Sequence, residues 1–190
     1  NMAYSAALNE EILRAGDAGM LFVVAAGNNF SNNDLSPNYP SSFNTYNMVS
    51  VAATDQSDNK AYFSDYGAAS VHLGAPGVNI YSTTRNNTYT LYNGTSMACP
   101  YVAGGAALML AANGSLTCEQ LKMGLLKTVD PLASLAGLTV TGGRLNLNKA
   151  VHWAQSPEDF SLSLSAARLT AKQGETADLS VSVQSLNGYA

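Results

Sequence analysis

Charge is scarce in this sequence. Nine Lys and Arg and thirteen Asp and Glu in 190 residues hold charged side chains to 12%, with a net charge of −4. Nucleic acid and anionic membrane surfaces both require basic patches, so this balance argues against either as the main partner. Cysteine is scarcer still, and Cys99 and Cys118 make no disulfide framework. A helix opening at Cys99 and running to about Ala112 carries the chain roughly 20 Å at the α-helical rise. A bridge needs Cα atoms within about 7 Å, so two buried free thiols are expected. The longest apolar stretch, Val102 to Ala112, is interrupted by Gly104 and Gly105 and falls short of the roughly 20 residues that cross a bilayer. No basic segment leading into an apolar run opens the chain, so no signal peptide is read at its start. Histidine occurs only at positions 72 and 152.

Hydrophobic residues, by contrast, make up 46% of the chain, enough for a large buried core and too many for disorder. The length suits one full domain and part of a second. Ser5 to Ala18 reads as an amphipathic helix with Ala7, Leu8, Ile12, Leu13 and Ala15 on one face and Gly19 at its end. The unbroken run Leu21–Ala26 and the run Met48–Ala53 read as parallel strands covered on both faces. The Asn-, Ser- and Pro-rich stretch from Asn29 to Tyr46 is loop. Short strands are predicted at Tyr62–Ser64, Val71–Leu73 and Val78–Tyr81, with Gly74–Gly77 as a turn, and Tyr89–Tyr92 leads into the segment that opens at Asn93. From about Met97 to Ala112 the sequence is apolar nearly all round, which predicts a central helix with little exposed face. Thr117 is placed to cap a further helix through Leu126.

Texture changes at Ser156–Pro157. Phe160, Leu162 and Leu164, then Leu179, Val181 and Val183, alternate around a turn at Gln173–Glu175, an antiparallel β pattern. An immunoglobulin-like sandwich takes about 100 residues. We therefore divide the chain into 1–154, one α/β unit, and 155–190, a linker and the truncated start of such a sandwich.

The segment Asn93-Gly94-Thr95-Ser96-Met97-Ala98 carries the chemistry. It places Ser96 at the start of the long helix, where unsatisfied N–H groups and the positive dipole end favour negative charge. Acyl transfer needs such an anion-stabilising backbone beside its nucleophile. Spacing alone leaves a second reading open, with Ser96 as a plain N-cap.

The longer run Asn93–Gly104 resembles the nucleophile motif of the subtilisin family of serine proteases. Ala25-Ala26-Gly27-Asn28, Ser50–Asp55, Ala61–Ser64, Gly74–Gly77 and Gly142–Asn146 are similar, in order, to that family's other signatures, so the resemblance covers roughly residues 1–153. It implies a three-layer α/β fold with a mainly parallel sheet, here its C-terminal portion, and peptide-bond hydrolysis through an acyl-enzyme on Ser96. Asn28 would supply the oxyanion-hole amide. Ala25, Ala26, Gly27, Gly94 and Thr95 would border bound substrate, and Asn38 would lie near the floor of the specificity pocket.

The resemblance implies a secreted enzyme acting on polypeptides. It also makes calcium a candidate ion, although His72 stands where the family often has an aspartate ligand, and no residue is assigned to metal. Neither histidine has the family's catalytic context. The catalytic Asp and His are therefore assigned to a missing N-terminal half, which becomes a required partner. Two other readings stand beside this one: an inactive fragment or pseudo-enzyme, and an extracellular binding module built on the Tyr- and Asn-rich loops.

Overall fold

The computed structural model describes residues 3–157, 159–164, 178 and 180–186. They fall into two compact units, Asn1–Gln155 and Ser156–Ala190.

The first unit is an α/β domain on a five-stranded sheet. Helix α1 (Ala6–Asp17) opens it, with the Ser5 hydroxyl accepting from the Leu8 N–H at 3.3 Å as the N-cap. Strands β1 (Phe22–Ala25), β2 (Met48–Thr54) and β3 (Leu73–Pro76) pair in parallel, with Val24 opposite Ser50 and Ala53 opposite Ala75. A hairpin of β4 (Ile80–Thr84) and β5 (Thr88–Tyr92) follows, then helices α2 (Thr95–Ala112) and α3 (Cys118–Lys127). Two short strands, β6 (Asp130–Pro131) and β7 (Gly143–Arg144), complete the sheet in the order β1-β2-β3-β7-β6, and α4 (Leu147–Gln155) closes the unit.

Alternation along β1 makes three layers. Val23 packs into the cluster of Val49, Val51, Leu73, Val102, Met109, Leu121 and Leu125, which lies under α2 and α3. Val24 faces the other way, into Ile12, Phe43 and Met48 beneath α1. A strand with apolar side chains on both faces is the sequence signature of a covered parallel sheet. Burying each such side chain contributes roughly 1.5–3 kcal/mol.

Several expectations are corrected. Gly74–Pro76 is not a turn but most of β3, a central strand: Gly and Pro read as punctuation, yet a Cβ on Gly74 would sit 2.7 Å from Leu135 Cδ1, so close packing explains the glycine. Tyr62–Ser64 is a turn closed by the Ser64 N–H on the Ala61 carbonyl, not a strand. The hairpin strand starts at Ile80, two residues later than predicted. Ala7 is exposed, so the buried face of α1 is Leu8, Ile12 and Gly16. Cys118 is buried but Cys99 is only half-buried; both are free.

The largest departure is α2. Its inner side (Ala98, Val102, Gly105, Ala106, Met109) is buried on β1, β2 and β3. Its outer side is open, with Tyr101, Leu108 and Leu110 exposed beside Ala103, Gly104, Ala107 and Ala111. The 18-residue helix is long and apolar enough in composition to cross a membrane, but its packing is that of a core helix with one face uncovered. Thr117 caps α3 as predicted, with Gln120 returning the bond as a capping box.

In the second unit, β8 (Asp159–Leu164) pairs antiparallel with β9 (Val181–Leu186), Leu162 opposite Val183. The predicted turn at Gln173–Glu175 lies outside the described residues.

Candidate active site

Two chain segments meet where β1 ends and α2 begins. Gly94 is the N-cap of α2, at φ 155 and ψ 158, and Ser96 is the second residue of the helix. Ser96 is therefore not a cap, and its hydroxyl is free for other work. The residue is exposed and lines a cleft of about 300 Å³ with Ile80, Tyr81, Ser82, Met97, Pro100 and Tyr101. Its backbone N–H belongs to the unpaired first turn of the helix.

Asn28 is brought to this point by β1, three residues past the strand's end. Its Oδ1 accepts from Thr95 N at 2.9 Å and from Thr95 Oγ1 at 3.0 Å. With the oxygen held there, the Nδ2 group must face away from Thr95. A point one Cβ bond out from Gly94 lies 3.6 Å from Ser96 N and 3.7 Å from Asn28 Nδ2. The Ser96 backbone nitrogen and Asn28 Nδ2 thus both lie within 3.7 Å of one point. That arrangement can receive the negative oxygen of a tetrahedral intermediate. Gly94 holds a φ of 155, a conformation that L side chains rarely adopt, which favours glycine at this position.

Thr95 turns out to face inward. It is fully buried, and its hydroxyl accepts from the Gly27 N–H at 3.2 Å while donating to Asn28. From the inner side of the first helical turn it orients Asn28.

Of the other predicted pocket residues, Ala25 and Gly27 are half-buried at the strand end, whereas the Ala26 side chain is fully buried against Ala52 and Val71. Asn38 is half-buried and donates Nδ2 to the Ala26 carbonyl at 3.1 Å, which brings it against this segment. Asn33 donates to the same carbonyl at 3.0 Å, and the Ser41 hydroxyl bonds Asn38 O at 2.6 Å. Sequence reading missed Asn33, Ser41 and Asp65. Asp65 is wholly buried beneath Gly27, where a Cβ on the glycine would lie 2.0 Å from its Oδ2. The burial of all three comes from the fold, and no local pattern in the sequence marks them.

Both imidazoles have partners other than Ser96. His72 Nδ1 accepts from Ser50 N at 3.0 Å, and burial first, then the Lys122 cation, push its pKa down to about 4. His152 bonds the Asn148 carbonyl on the exposed side of α4. Burial pushes the Cys99 thiol up, away from thiolate chemistry, and its Sγ is 3.4 Å from the Val23 carbonyl. Calcium does not fit at His72, whose inner nitrogen is committed to the backbone. Among the described residues no group of three or more His, Cys, Asp or Glu is placed to hold a metal.

Comparison with known proteins bears directly on this geometry. The subtilase family profile (Peptidase S8) matches residues 1–169. Subtilisin BL of Lederbergia lenta is 42% identical over 130 residues, covering 68% of this chain and 46% of the relative. Thermitase of Thermoactinomyces vulgaris is 40% identical over 146 residues, covering 77% and 49%. A protease from Pseudoalteromonas arctica superposes with a TM-score of 0.71 at 29% identity, covering 80% of this chain and 48% of that one. The chain thus spans about half the length of the relatives it matches. With a matching family profile, two relatives at this identity and the same fold in a solved protease, the chain belongs to the subtilase family of serine-type peptidases.

Proposed function

We propose that this chain carries the nucleophile and the oxyanion hole of a subtilisin-like endopeptidase. The approach of Asn28 Nδ2 and Ser96 N to one point, with Ser96 exposed, supports the reading best. In it, the Ser96 hydroxyl attacks the carbonyl carbon of a peptide bond while a histidine from outside these 190 residues takes its proton. The carbonyl oxygen becomes negative between the two donors. The intermediate collapses to an acyl-enzyme, the same histidine protonates the leaving amine, and water then releases the acyl group.

The cleft beside Ser96 offers the histidine its place. Among the described residues β1 is an edge strand and one face of α2 is open, surfaces for the strands and helices that would bring it. Ala25, Gly27 and Asn38 would meet the side chain preceding the scissile bond. The family resemblance further implies an enzyme that works outside the cell. We read residues 155–190 as a linker and the opening of an appended β-sandwich.

A fluorophosphonate probe tests this reading. In the enzyme that includes the histidine, the probe should label Ser96, and Ser96→Ala should abolish both labelling and turnover. The 190-residue chain alone should take up no label. Turnover surviving Ser96→Ala, or rapid labelling of the isolated chain, would overturn it.

A further inference from the structure

Asp65 is 0% exposed, and its N–H and its Oδ1 both engage the backbone on either side of Asn28. Its own N–H donates to Gly27 O at 2.9 Å. Its Oδ1 accepts from Asn29 N at 2.7 Å and from Ser31 N at 2.9 Å. Asn28 therefore sits between two anchor points on one residue. Phe30, between the two donating amides, holds a φ of 53. That left-handed conformation is unfavourable for a bulky side chain and persists only where its surroundings impose it. It lets the flanking N–H groups turn toward one anionic oxygen, as in backbone anion nests.

The surroundings impose it from several directions. Phe30 N donates to Phe63 O at 2.8 Å, and Tyr66 N donates to Ser31 O at 3.0 Å. Lys60 Nζ lies 4.6 Å from the Phe30 ring centroid and 5.3 Å from that of Tyr66, while bonding the Ser64 carbonyl at 3.0 Å. Among the described residues the Asp65 Oδ2 has no hydrogen-bond partner, and it packs against Gly27. Together these contacts fix where the chain carrying Asn28 can go.

We propose that Asp65 is a positioning residue for the oxyanion donor Asn28, acting by pinning the backbone on both sides of it. The inference rests on the reading of Asn28 given above. Thr95 sets the rotation of the Asn28 amide, and Asp65 sets the position of its Cα. Both are needed, because an oxyanion donor must be held to within a fraction of an ångström to act.

A double-mutant cycle on the complete enzyme tests this, with kcat counted per titrated active site. Asp65→Ala removes the shared acceptor and should lower kcat about 10- to 100-fold with KM held within about threefold. Asp65→Asn keeps an oxygen facing the Asn29 and Ser31 amides and should restore kcat to within about fivefold of the native enzyme. In an Asn28→Ala background, Asp65→Ala should cost no more than about threefold further, since the group it positions is gone. If Asp65→Ala does not fold, Asp65→Ser, too short to reach both amides, is read by the same criteria.

The outcomes separate. A native kcat in Asn28→Ala would sink the oxyanion reading, and this inference with it. A large loss in Asn28→Ala, with the Asp65 variant silent or costing the same factor in both backgrounds, would overturn the inference alone.

Discussion

Thr95 and Asn28 are locked together by two bonds to a single oxygen: Asn28 Oδ1 accepts from both the N–H and the hydroxyl of Thr95, at 2.9 and 3.0 Å. Thr95→Val keeps the shape and the N–H bond but removes the hydroxyl. It leaves the Asn28 oxygen with one partner and the Gly27 N–H with none. We expect kcat of the complete enzyme to fall roughly 10-fold with little change in KM, the size of one lost buried hydrogen bond. Thr95→Ser should recover most of it. Steady-state kinetics on a peptide anilide decide the matter, and a change confined to KM would contradict the assignment.

Removing the donor itself should cost more. Asn28→Ala should lower kcat about 10²–10³-fold, the magnitude known for loss of one oxyanion-hole asparagine in a subtilisin. Ser96→Ala should leave no acyl-enzyme at all. Single-turnover kinetics would show whether the Asn28 loss falls on acylation; equal and complete loss in both variants would contradict distinct roles.

Gly27→Ala should be among the most damaging substitutions in the domain. The residue has a φ of 121, and a new Cβ would lie 2.0 Å from Asp65 Oδ2 and 2.6 Å from Asn38 Nδ2. Backbone strain and overpacking together should cost roughly 2–5 kcal/mol. A shift of the denaturant midpoint, with the slope unchanged, measures it. A variant as stable as the parent would mean that Asp65 and the Asn28 loop can move.

His72 makes stability depend on pH. Its pKa is depressed from 6.5 to about 4, by burial first and by Lys122 second. Below pH 6.5 the unfolded chain binds a proton that the folded chain refuses, so stability falls as pH drops toward 4. Protonating Nδ1 would also break its bond from Ser50 N. The full effect is at most about 3 kcal/mol. Denaturation midpoints between pH 7 and 4 should slope downward in the native protein and flatten in His72→Gln, and equal slopes would exclude the imidazole as the source.

The isolated chain should be sticky. Leu108 is 50% exposed and Leu110 40% exposed on the open face of α2. We expect it to bind hydrophobic dyes or self-associate, and Leu108→Glu should reduce both. In the complete enzyme the same substitution should destabilise by roughly 2 kcal/mol or more if that face is covered there. A monodisperse, dye-silent native chain on size-exclusion chromatography would argue against an uncovered face.

What the sequence by itself determined is what local pattern can encode. The apolar runs of β1 and β2, the Thr117 cap and the apolar stretch of α2 are legible because propensity, capping and periodicity act over a few neighbouring residues. So is the candidate nucleophile, since the Gly-Thr-Ser-Met-Ala block is a specific string at a helix start. Gly74–Pro76 misled because glycine and proline usually mark turns, and only close packing against Leu135 and pairing with β2 made them a strand. The inward turn of Thr95 followed from the phase of the helix that begins there. Asp65, 37 residues beyond Asn28, could be matched to it only by the fold, because a buried carboxylate gains its partners from whatever backbone the sheet delivers. The open face of α2 is likewise a tertiary fact. An all-apolar helix predicts burial on every side, but burial takes neighbours, and within these residues they cover one side only.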